Sequence, residues 1–242
     1  MKIGIMGYGE IGSSLHKVYS DFPEFDARIK ELNWQDDLSG IEILNVCISF
    51  PSKERFVSSV CDAIEKYNPN LTIIHSTVKP GTTLEVIAQT KSRVVHSPVQ
   101  GVHPYLYEGI KEFTKYIGYE DDDSRKFAEE HFLKLGISFA SYKGTKTTEL
   151  AKLLDTTYYG VCIAWHGEMK KICDAEGVDF GIIGDWNRNY NENYPKQGKT
   201  NVVRPVLTPP DGKIRGHCVI PNTRILSEDY DSPALDLVLK YE

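Results

Sequence analysis

The sequence predicts an α/β protein in which a doubly wound parallel sheet is followed by a smaller, mainly helical domain. Short apolar runs alternate with longer amphipathic stretches over residues 1–144, as strands alternate with crossover helices. A glycine-rich turn directly follows the first of these apolar runs. Over residues 147–175, apolar residues instead recur at steps of three and four, as on one face of a long helix.

The first domain is expected to cover residues 1–144. Its strands are short apolar runs bounded by polar residues, glycine or proline, and they are predicted at residues 2–6, 25–32, 41–49, 71–74, 93–96 and 137–139. Its helices have apolar residues on one face and are predicted at residues 13–19, 53–67, 83–90 and 127–135.

The glycine-rich turn reads Gly7-Tyr8-Gly9-Glu10-Ile11-Gly12 and lies between a predicted strand and a predicted helix. Gly7 would permit a tight turn, Gly9 would let a pyrophosphate approach the backbone, and Gly12 would let helix and strand pack closely. The phosphates would lie at the helix N-terminus, where free N–H groups and the dipole favour anions. The motif predicts a Rossmann fold that binds a dinucleotide; the alternative is an ordinary glycine turn.

The residue that contacts the cofactor's ribose is expected about 20 positions after the glycines, at the end of the second strand. Glu31 fits this position better than Asp26 does, which favours NAD, although a solvated carboxylate at a strand end is the alternative. Arg28 and Lys30 are near enough to favour a 2′-phosphate, so NADP stays open. The other residues expected at the cofactor follow two later strands: Ser49, Phe50, Pro51, Ser76 and Thr77.

The second domain is expected to cover residues 145–242 and to combine substrate binding with dimerisation. Helices are predicted at 147–175 and 179–190, and a last one begins at Ser232-Pro233. Residues 192–224 show little periodicity and are expected to form a functional loop that carries Cys218. Because the apolar face of the long helix exceeds what one small domain covers, we expect a homodimer packed on it.

The composition argues against several classes of function. The net charge is −6 and no long basic run occurs, so a nucleic-acid surface is not expected. No apolar run approaches the roughly 20 residues of a membrane helix, and the N-terminus does not read as a signal peptide. The five cysteines form no CxxC pair, which indicates free thiols in a reducing, cytoplasmic compartment and no metal site.

Two residues of the second domain have surroundings that suit chemistry. Cys218 adjoins His217 and lies three residues from Arg215, and nearby cations favour the nucleophilic thiolate. Lys152 lies on the long helix with Thr156 one turn later, where an ammonium could stabilise an alkoxide. The alternatives are a buried, inert cysteine and a solvated lysine.

Several further residues are expected near the substrate. His75, His96 and His103 follow strands, at the edge where ligands bind in parallel sheets, and a structural role is the alternative for each. Tyr190 and Arg204 belong to an aromatic and polar cluster that could contact an anionic substrate or a second subunit. The residues expected to bind substrate are His103, Tyr190, Arg204 and His217.

Four segments resemble, in order and spacing, the UDP-glucose, GDP-mannose and UDP-N-acetylmannosamine dehydrogenases. They are GYGEIG at 7–12, HSTVKPGTT at 75–83, TTELAKLLDTTY at 147–158 and RGHCVIPN at 215–222. The resemblance implies that Thr77 holds water or substrate near the nicotinamide and that Lys152 stabilises charge on the substrate oxygen. It also implies that Cys218 traps an aldehyde as a thiohemiacetal, with hydrides passing to two NAD molecules in succession.

Three positions depart from that family's pattern. Thr156 stands where the family has Asn, Asn222 where it has Asp, and Val99 where it has Glu. Because two carboxylates are replaced, His96 and His103 are expected to supply acid–base catalysis. Only 24 residues follow the cysteine, so we expect the family's second nucleotide-binding domain to be missing.

These observations predict an NAD-dependent dehydrogenase that oxidises a primary alcohol of a sugar-like or polyol substrate to an acid. The first alternative is a hydroxy-acid dehydrogenase or ketoacid reductase that transfers a single hydride and uses no covalent cysteine. The second is a protein that binds NAD as a sensor or scaffold without catalysis. The expected partners are a small-molecule substrate and a second copy of the chain.

Overall fold

A computed structural model of the chain describes residues 1–31, 33 and 35–242. The strands are β1 (Lys2–Met6), β2 (Asp26–Lys30), β3 (Ile43–Val46), β4 (Leu71–Ile74), β5 (Val94–His96), β6 (Lys115–Tyr119) and β7 (Phe139–Lys143). The helices are α1 (Glu10–Ser20), α2 (Lys53–Tyr67), α3 (Thr82–Thr90), α4 (Leu106–Glu112), α5 (Asp122–Lys134), α6 (Thr145–Glu176), α7 (Gly181–Asn193), α8 (Val219–Ser227) and α9 (Pro233–Leu239), with a 3₁₀ turn at Pro195–Gln197.

The chain forms two compact units, Met1–Lys152 and Leu153–Glu242. The first unit contains one seven-stranded sheet in the order β2-β1-β3-β4-β5-β6-β7. Strands β1 to β5 are parallel, β6 runs antiparallel to β5, and β7 is parallel to β6. The α/β fold class is confirmed. The strand order reverses between β1 and β3, and such a switch point opens a crevice at the carboxyl ends of the strands.

Both faces of the sheet are covered by apolar side chains. Ile3 and Ile5 of β1 are fully buried in a cluster with α1 and α5, whereas Val46 of β3 faces a second cluster with α2. The predicted helix at 53–67 coincides with α2. Its start is capped by Ser52, whose hydroxyl accepts the backbone N–H of Arg55, and a left-handed Asn68 ends it.

The structure corrects the prediction for residues 97–143. The strand expected at 137–139 lies instead at Phe139–Lys143, and Ile137 is buried in the turn after α5 without being part of a strand. Helix α4 and strand β6 were not predicted. Strand β6 escapes the alternating apolar pattern because Lys115 occupies one of its buried positions and Gly118 another.

The second unit is built from most of α6 together with α7, α8 and α9. A Cβ atom on Gly160 of α6 would lie 2.5 Å from Val219 Cγ1, so α6 and the start of α8 pack closely. Ser232 caps α9 as predicted, its hydroxyl accepting the N–H of Ala234. The loop expected at 192–224 is shorter than predicted because α8 begins at Val219, directly after Cys218.

Among the helices that the structure describes, none combines the length and the apolar character that crossing a membrane would require.

Candidate functional site

The glycine turn after β1 has the geometry of a dinucleotide cradle. Gly7 has φ 92°, and a Cβ there would lie 2.7 Å from the Cys47 carbonyl oxygen. A Cβ on Gly12 would overlap the Gly7 carbonyl oxygen, whereas a Cβ on Gly9 would meet no atom within 4 Å. The protein's own packing therefore requires glycine at positions 7 and 12. Gly9 faces open space, as expected where a pyrophosphate approaches the backbone.

A cavity of about 830 Å³ opens at the carboxyl ends of β1 and β3, at the switch point of the sheet. Its lining includes the predicted cofactor residues Gly7, Gly9, Glu31, Ser49 and Pro51. The α2 residues that complete the wall were not predicted; they are Glu54, Arg55, Phe56, Ser58 and Ser59. Its place and lining suit a dinucleotide.

Glu31 is positioned at this cavity by the glycine turn itself. Its Oε2 accepts the backbone N–H of Tyr8 at 2.6 Å. The two neighbouring cations point to other partners: Arg28 makes paired hydrogen bonds of 2.8 Å to Asp26, and the ammonium of Lys30 lies over the Tyr67 ring. A carboxylate, rather than a cation, is thus what the second strand presents to the cavity.

Four other predicted cofactor residues are held by protein contacts. Ile11 of α1 packs against the core, and Phe50 packs against the Phe56 ring with centroids 5.5 Å apart. The Ser76 hydroxyl donates to the Ile48 carbonyl at 2.6 Å. Glu10, at the start of α1, pairs with His103 Nδ1 at 2.8 Å. His103, expected at the substrate, is therefore next to the glycine turn.

The structure argues against the acid–base role expected for His96. The side chain is fully buried, with Nδ1 2.8 Å from the Thr148 hydroxyl and Nε2 3.1 Å from the Ser76 carbonyl oxygen. Burial lowers its pKa to about 3. Both nitrogens are engaged inside the protein, which favours the neutral imidazole and the structural alternative for His96. It ties α6 to the end of β5.

His75 is also buried, between Asn45 and the Ser97 carbonyl oxygen. Desolvation, and then the charge of Lys115, lower its pKa well below the usual histidine value. His75 belongs to a polar network that continues through Asn45 to the Tyr19 hydroxyl and on to His131 Nε2. These contacts support the structural alternative for His75.

The start of α6 carries Lys152 close to these strand ends. One turn earlier, buried Glu149 accepts the backbone N–H groups of Gly81 at 2.5 Å and Thr83 at 2.8 Å. These N–H groups open α3, and α3 follows the turn that contains half-exposed Thr77. Burial raises the pKa of the Glu149 carboxyl. Glu149 thus fixes the helical turn before Lys152 to the segment that carries Thr77.

In the second unit, Cys218 is half-buried and immediately precedes α8. Asn222 is one turn further along that helix and is buried, and its backbone N–H donates to the Cys218 carbonyl at 3.0 Å. On α6, Thr156 is buried, and the hydroxyl of Thr157 lies 3.3 Å from that of Thr223. His217 is exposed, without a described contact that orients it toward the thiol.

The predicted aromatic and polar cluster does assemble. The Arg204 guanidinium lies 3.4 Å from the Tyr190 ring centroid, and Tyr190 stacks on Tyr194 at 5.1 Å. Asn191 holds the Arg204 backbone through two hydrogen bonds of 2.8 Å, one in each direction. The stacked guanidinium keeps its in-plane N–H groups available for an anion.

Sequence reasoning missed Lys115 and Glu149. Both are charged residues at buried positions, and a signal was present in each case. Lys115 begins a strand-like run that continues with Tyr116 and Ile117. Glu149 lies on the apolar face of α6, one turn before Leu153. A charge at an inward position of a periodic element indicates a specific buried partner.

The chain resembles known dehydrogenases in both sequence and fold. The UDP-N-acetyl-D-mannosamine dehydrogenase of Methanococcus vannielii is 28% identical over 204 residues, which is 78% of this chain and 45% of that protein. The chain therefore spans about half the length of the curated relatives it matches. No family model matches the chain. The resemblance to UDP-sugar dehydrogenases expected from the four motifs is confirmed.

Solved structures show the same fold. The UDP-D-ManNAc dehydrogenase of Pyrococcus horikoshii matches with a TM-score of 0.81 and 17% identity, covering 100% of this chain and 68% of that one. The 3-hydroxyisobutyrate dehydrogenase of Mycobacterium tuberculosis, solved with L-serine, matches with a TM-score of 0.70 and 14% identity, covering 98% and 91%. At these identities the matches establish the Rossmann-type fold.

Proposed function

We propose that the chain carries an NAD-dependent dehydrogenase activity that oxidises a primary alcohol of a sugar-like or polyol substrate. The observation that supports this most directly is the cofactor cradle. Gly9 opens onto a cavity of about 830 Å³, and Glu31 is fixed at its edge by the Tyr8 N–H. The curated relatives are named as dehydrogenases of UDP-sugars, which supports the reaction class.

We propose NAD rather than NADP as the cofactor. A carboxylate next to the adenosine ribose accepts hydrogen bonds from its hydroxyls and repels a 2′-phosphate. Arg28 and Lys30 are the nearby cations that could reverse this preference, but they contact Asp26 and Tyr67 respectively. Arg55 of α2 also lines the cavity, and it is the residue that would have to bind the 2′-phosphate if the cofactor were NADP.

In the proposed reaction, bound NAD supplies the hydride acceptor. Lys152 faces the substrate oxygen and stabilises the negative charge that develops on it, while Thr77 positions the substrate or a water. Glu149 holds the Lys152 turn by accepting the Gly81 and Thr83 N–H groups. One well-placed donor of this kind is typically worth about 3 kcal/mol of barrier, or roughly a hundredfold in rate.

Cys218 is proposed to carry the reaction beyond the aldehyde. Its thiolate adds to the aldehyde carbon and the carbonyl oxygen takes up a proton, giving a thiohemiacetal. That carbon then transfers a hydride to a second NAD while the hydroxyl loses its proton, giving a thioester, and water cleaves the thioester to release the acid and the thiol. Cys218 is half-buried and immediately precedes α8, so the positive end of that helix dipole lies next to it. Arg204, stacked on Tyr190, is proposed to bind an anionic part of the substrate.

We also propose that the chain forms a homodimer on α6. Large apolar and aromatic side chains remain exposed on the second-unit part of this helix, among them Leu154, Tyr158, Trp165 and Ile172. Exposed groups of this size and number are typical of subunit interfaces. Sedimentation velocity at micromolar concentration checks the proposal, and a monomer there would contradict it.

A screen of polyols, sugar alcohols and the matching aldehydes for NADH formation tests the proposed reaction. The wild type should yield two NADH per alcohol, Cys218→Ser should stop after the first, and Lys152→Ala should slow the first hydride transfer about a hundredfold. Full turnover by Cys218→Ser at the wild-type rate would exclude covalent trapping. NAD binding without turnover of any substrate would instead support the alternative of a non-catalytic sensor or scaffold.

A second candidate is a hydroxy-acid dehydrogenase that transfers one hydride. It is favoured by Val99 and Asn222, which stand where the resemblance to UDP-sugar dehydrogenases implies carboxylates. The solved 3-hydroxyisobutyrate dehydrogenase also matches this chain over 91% of its own length. A yield of one NADH per substrate, unaffected by Cys218→Ser, would favour this reaction.

A further inference from the structure

Glu10 places a carboxylate at the point where the cofactor's pyrophosphate is proposed to bind. It is the first residue of α1 and directly follows Gly9, whose Cβ position is open. The free N–H groups of this first helical turn, together with the helix dipole, are what would hold the pyrophosphate. A negative side chain in the same turn repels that anion. A dinucleotide therefore binds here best when the charge of Glu10 is balanced.

The neighbouring cavity adds to the negative charge around this turn. Its lining includes two carboxylates, Glu31 and Glu54, and one cation, Arg55. Glu31 accepts the Tyr8 N–H at the edge of the glycine turn. Together with Glu10, three carboxylates thus lie around the place where a doubly negative group is expected. A cation next to Glu10 would lower the repulsion that the cofactor meets.

The structure brings His103 to this carboxylate. Its Nδ1 lies 2.8 Å from Glu10 Oε2, and the His103 and Glu10 side chains are 33% and 59% exposed. The contact is an ion pair when the imidazole is protonated. Histidine is the side chain that can gain and lose a charge near neutral pH. His16 of α1 lies instead against the Tyr8 side chain, with its Nδ1 3.3 Å from the hydroxyl.

The segment that carries His103 is anchored along α1. Helix α4 follows the His103 loop and packs on α1. Just beyond the last residue of α1, Asp21 accepts the Tyr107 hydroxyl at 2.6 Å and the Lys111 ammonium at 2.8 Å. The loop and α4 therefore contact both ends of α1, which holds His103 near Glu10.

We propose that His103 is a positioning residue for the cofactor, which raises dinucleotide affinity by neutralising Glu10. When the pair is formed, the first turn of α1 presents its N–H groups and dipole to the pyrophosphate without an opposing charge. When the imidazolium is removed, Glu10 repels the pyrophosphate. This role rests on the proposed dinucleotide site, and it places His103 at the cofactor, whereas the sequence predicted it at the substrate. NAD and NADP share the pyrophosphate, so the role is the same for either.

Calorimetric titration of the full chain with NAD tests this at pH 6, where an unperturbed histidine is mostly protonated. His103→Gln keeps a hydrogen-bond donor but loses the charge, and in low salt it should weaken NAD binding about fivefold, the size of an exposed charge interaction. Adding Glu10→Gln to that variant should restore wild-type affinity, because the carboxylate that required neutralising is gone. His103→Lys keeps a positive charge and should bind NAD like the wild type.

Two controls separate the pair from overall charge and from structure. Glu108→Gln removes an exposed carboxylate from α4 and should not restore the affinity that His103→Gln loses. In about 0.5 M NaCl, the difference between the wild type and His103→Gln should shrink to less than about twofold, because salt screens exposed charges. A loss of shape in the loop would persist in salt. Both side chains of the pair are partly exposed, so every variant should unfold in urea like the wild type.

This role is excluded if His103→Gln binds NAD with wild-type affinity in low salt, or if Glu10→Gln does not restore the lost affinity. Glu10→Gln alone leaves the loop intact and should bind NAD at least as tightly as the wild type, so weaker binding would also exclude it. Equal restoration by Glu108→Gln would show that net charge, rather than the pair, is responsible. A wild type that binds neither NAD nor NADP would contradict the proposed function itself, whereas normal binding that ignores His103 would contradict this role alone.

Discussion

Substitutions at two glycines of the same turn should have opposite effects on folding and on NAD binding. Gly9 has φ −70° and ψ −161°, which is a region that valine favours, and a Cβ there meets no protein atom within 4 Å. Gly12 lies in the first turns of α1, where a Cβ would overlap the Gly7 carbonyl oxygen. A side chain at position 9 would therefore extend into the cavity, whereas a side chain at position 12 would overlap packed protein atoms.

The magnitudes follow from these contacts. Gly9→Val should change the free energy of unfolding by less than about 0.5 kcal/mol, because it removes no contact and strains no backbone. It should weaken NAD binding by more than about tenfold, which is about 1.4 kcal/mol, because the pyrophosphate can no longer reach the backbone. Gly12→Ala should destabilise the fold by about 1–3 kcal/mol, since the backbone must move. That cost exceeds the roughly 1 kcal/mol that alanine gains in helix propensity.

The assay is urea unfolding combined with calorimetric titration of NAD, on the wild type and both variants. A folded Gly9→Val variant that binds NAD with wild-type affinity would refute the assignment of this turn to the cofactor. A Gly12→Ala variant as stable as the wild type would refute the packing argument. The two measurements are independent, so either part of the reasoning can fail alone.

Three further predictions concern single carboxylates. Glu31→Ala should lower NAD affinity about tenfold and raise the relative affinity for NADP, whereas Asp26→Ala should change neither in the same calorimetric titration. Glu149→Gln should cost about 1–3 kcal/mol in urea unfolding, because one amide N–H would face a backbone N–H. Burial raises the pKa of the Glu149 carboxyl in the folded protein. The wild type therefore has a stability contribution that is present below pH 4.5 and is lost as the pH rises through the folded pKa. Glu149→Gln should lack this contribution. Hydrogen bonds from Lys171 and then Tyr241 lower the pKa of Glu168 to about 2. Thermal melts should therefore show a stabilisation that is present above pH 4.5 and lost toward pH 2, and Glu168→Gln should melt without that component.

The elements that could be predicted from the sequence are those whose signals are local. The helix at 53–67 was placed correctly because its apolar face recurs at steps of three and four and polar residues flank it. The last strand was misplaced because Ile137 is apolar for a different reason, its burial in a turn. Strand β6 was missed because an inward lysine breaks the alternation that indicates a strand.

The candidate site also divides into a part with local sequence signals and a part that only the fold brings together. The cofactor cradle is contiguous in sequence apart from Glu31 and the residues after β3, and their spacing follows from the Rossmann topology. The surroundings of His96 could not be predicted because its partners, Ser76 and Thr148, are distant in the chain and only the fold brings them together. No periodicity reports whether a histidine at a strand end faces a ligand or a helix.

Glu149 shows why a buried charge is useful beside such a site. A desolvated carboxylate is unfavourable by itself, yet here two N–H groups at the start of α3, and the dipole of that helix, offset part of the cost. An apolar residue could fill the same space, but it could not specify which turn of α6 meets the start of α3. That register decides where Lys152, three residues later, lies relative to the Thr77 segment. The carboxylate therefore acts on the proposed chemistry through geometry.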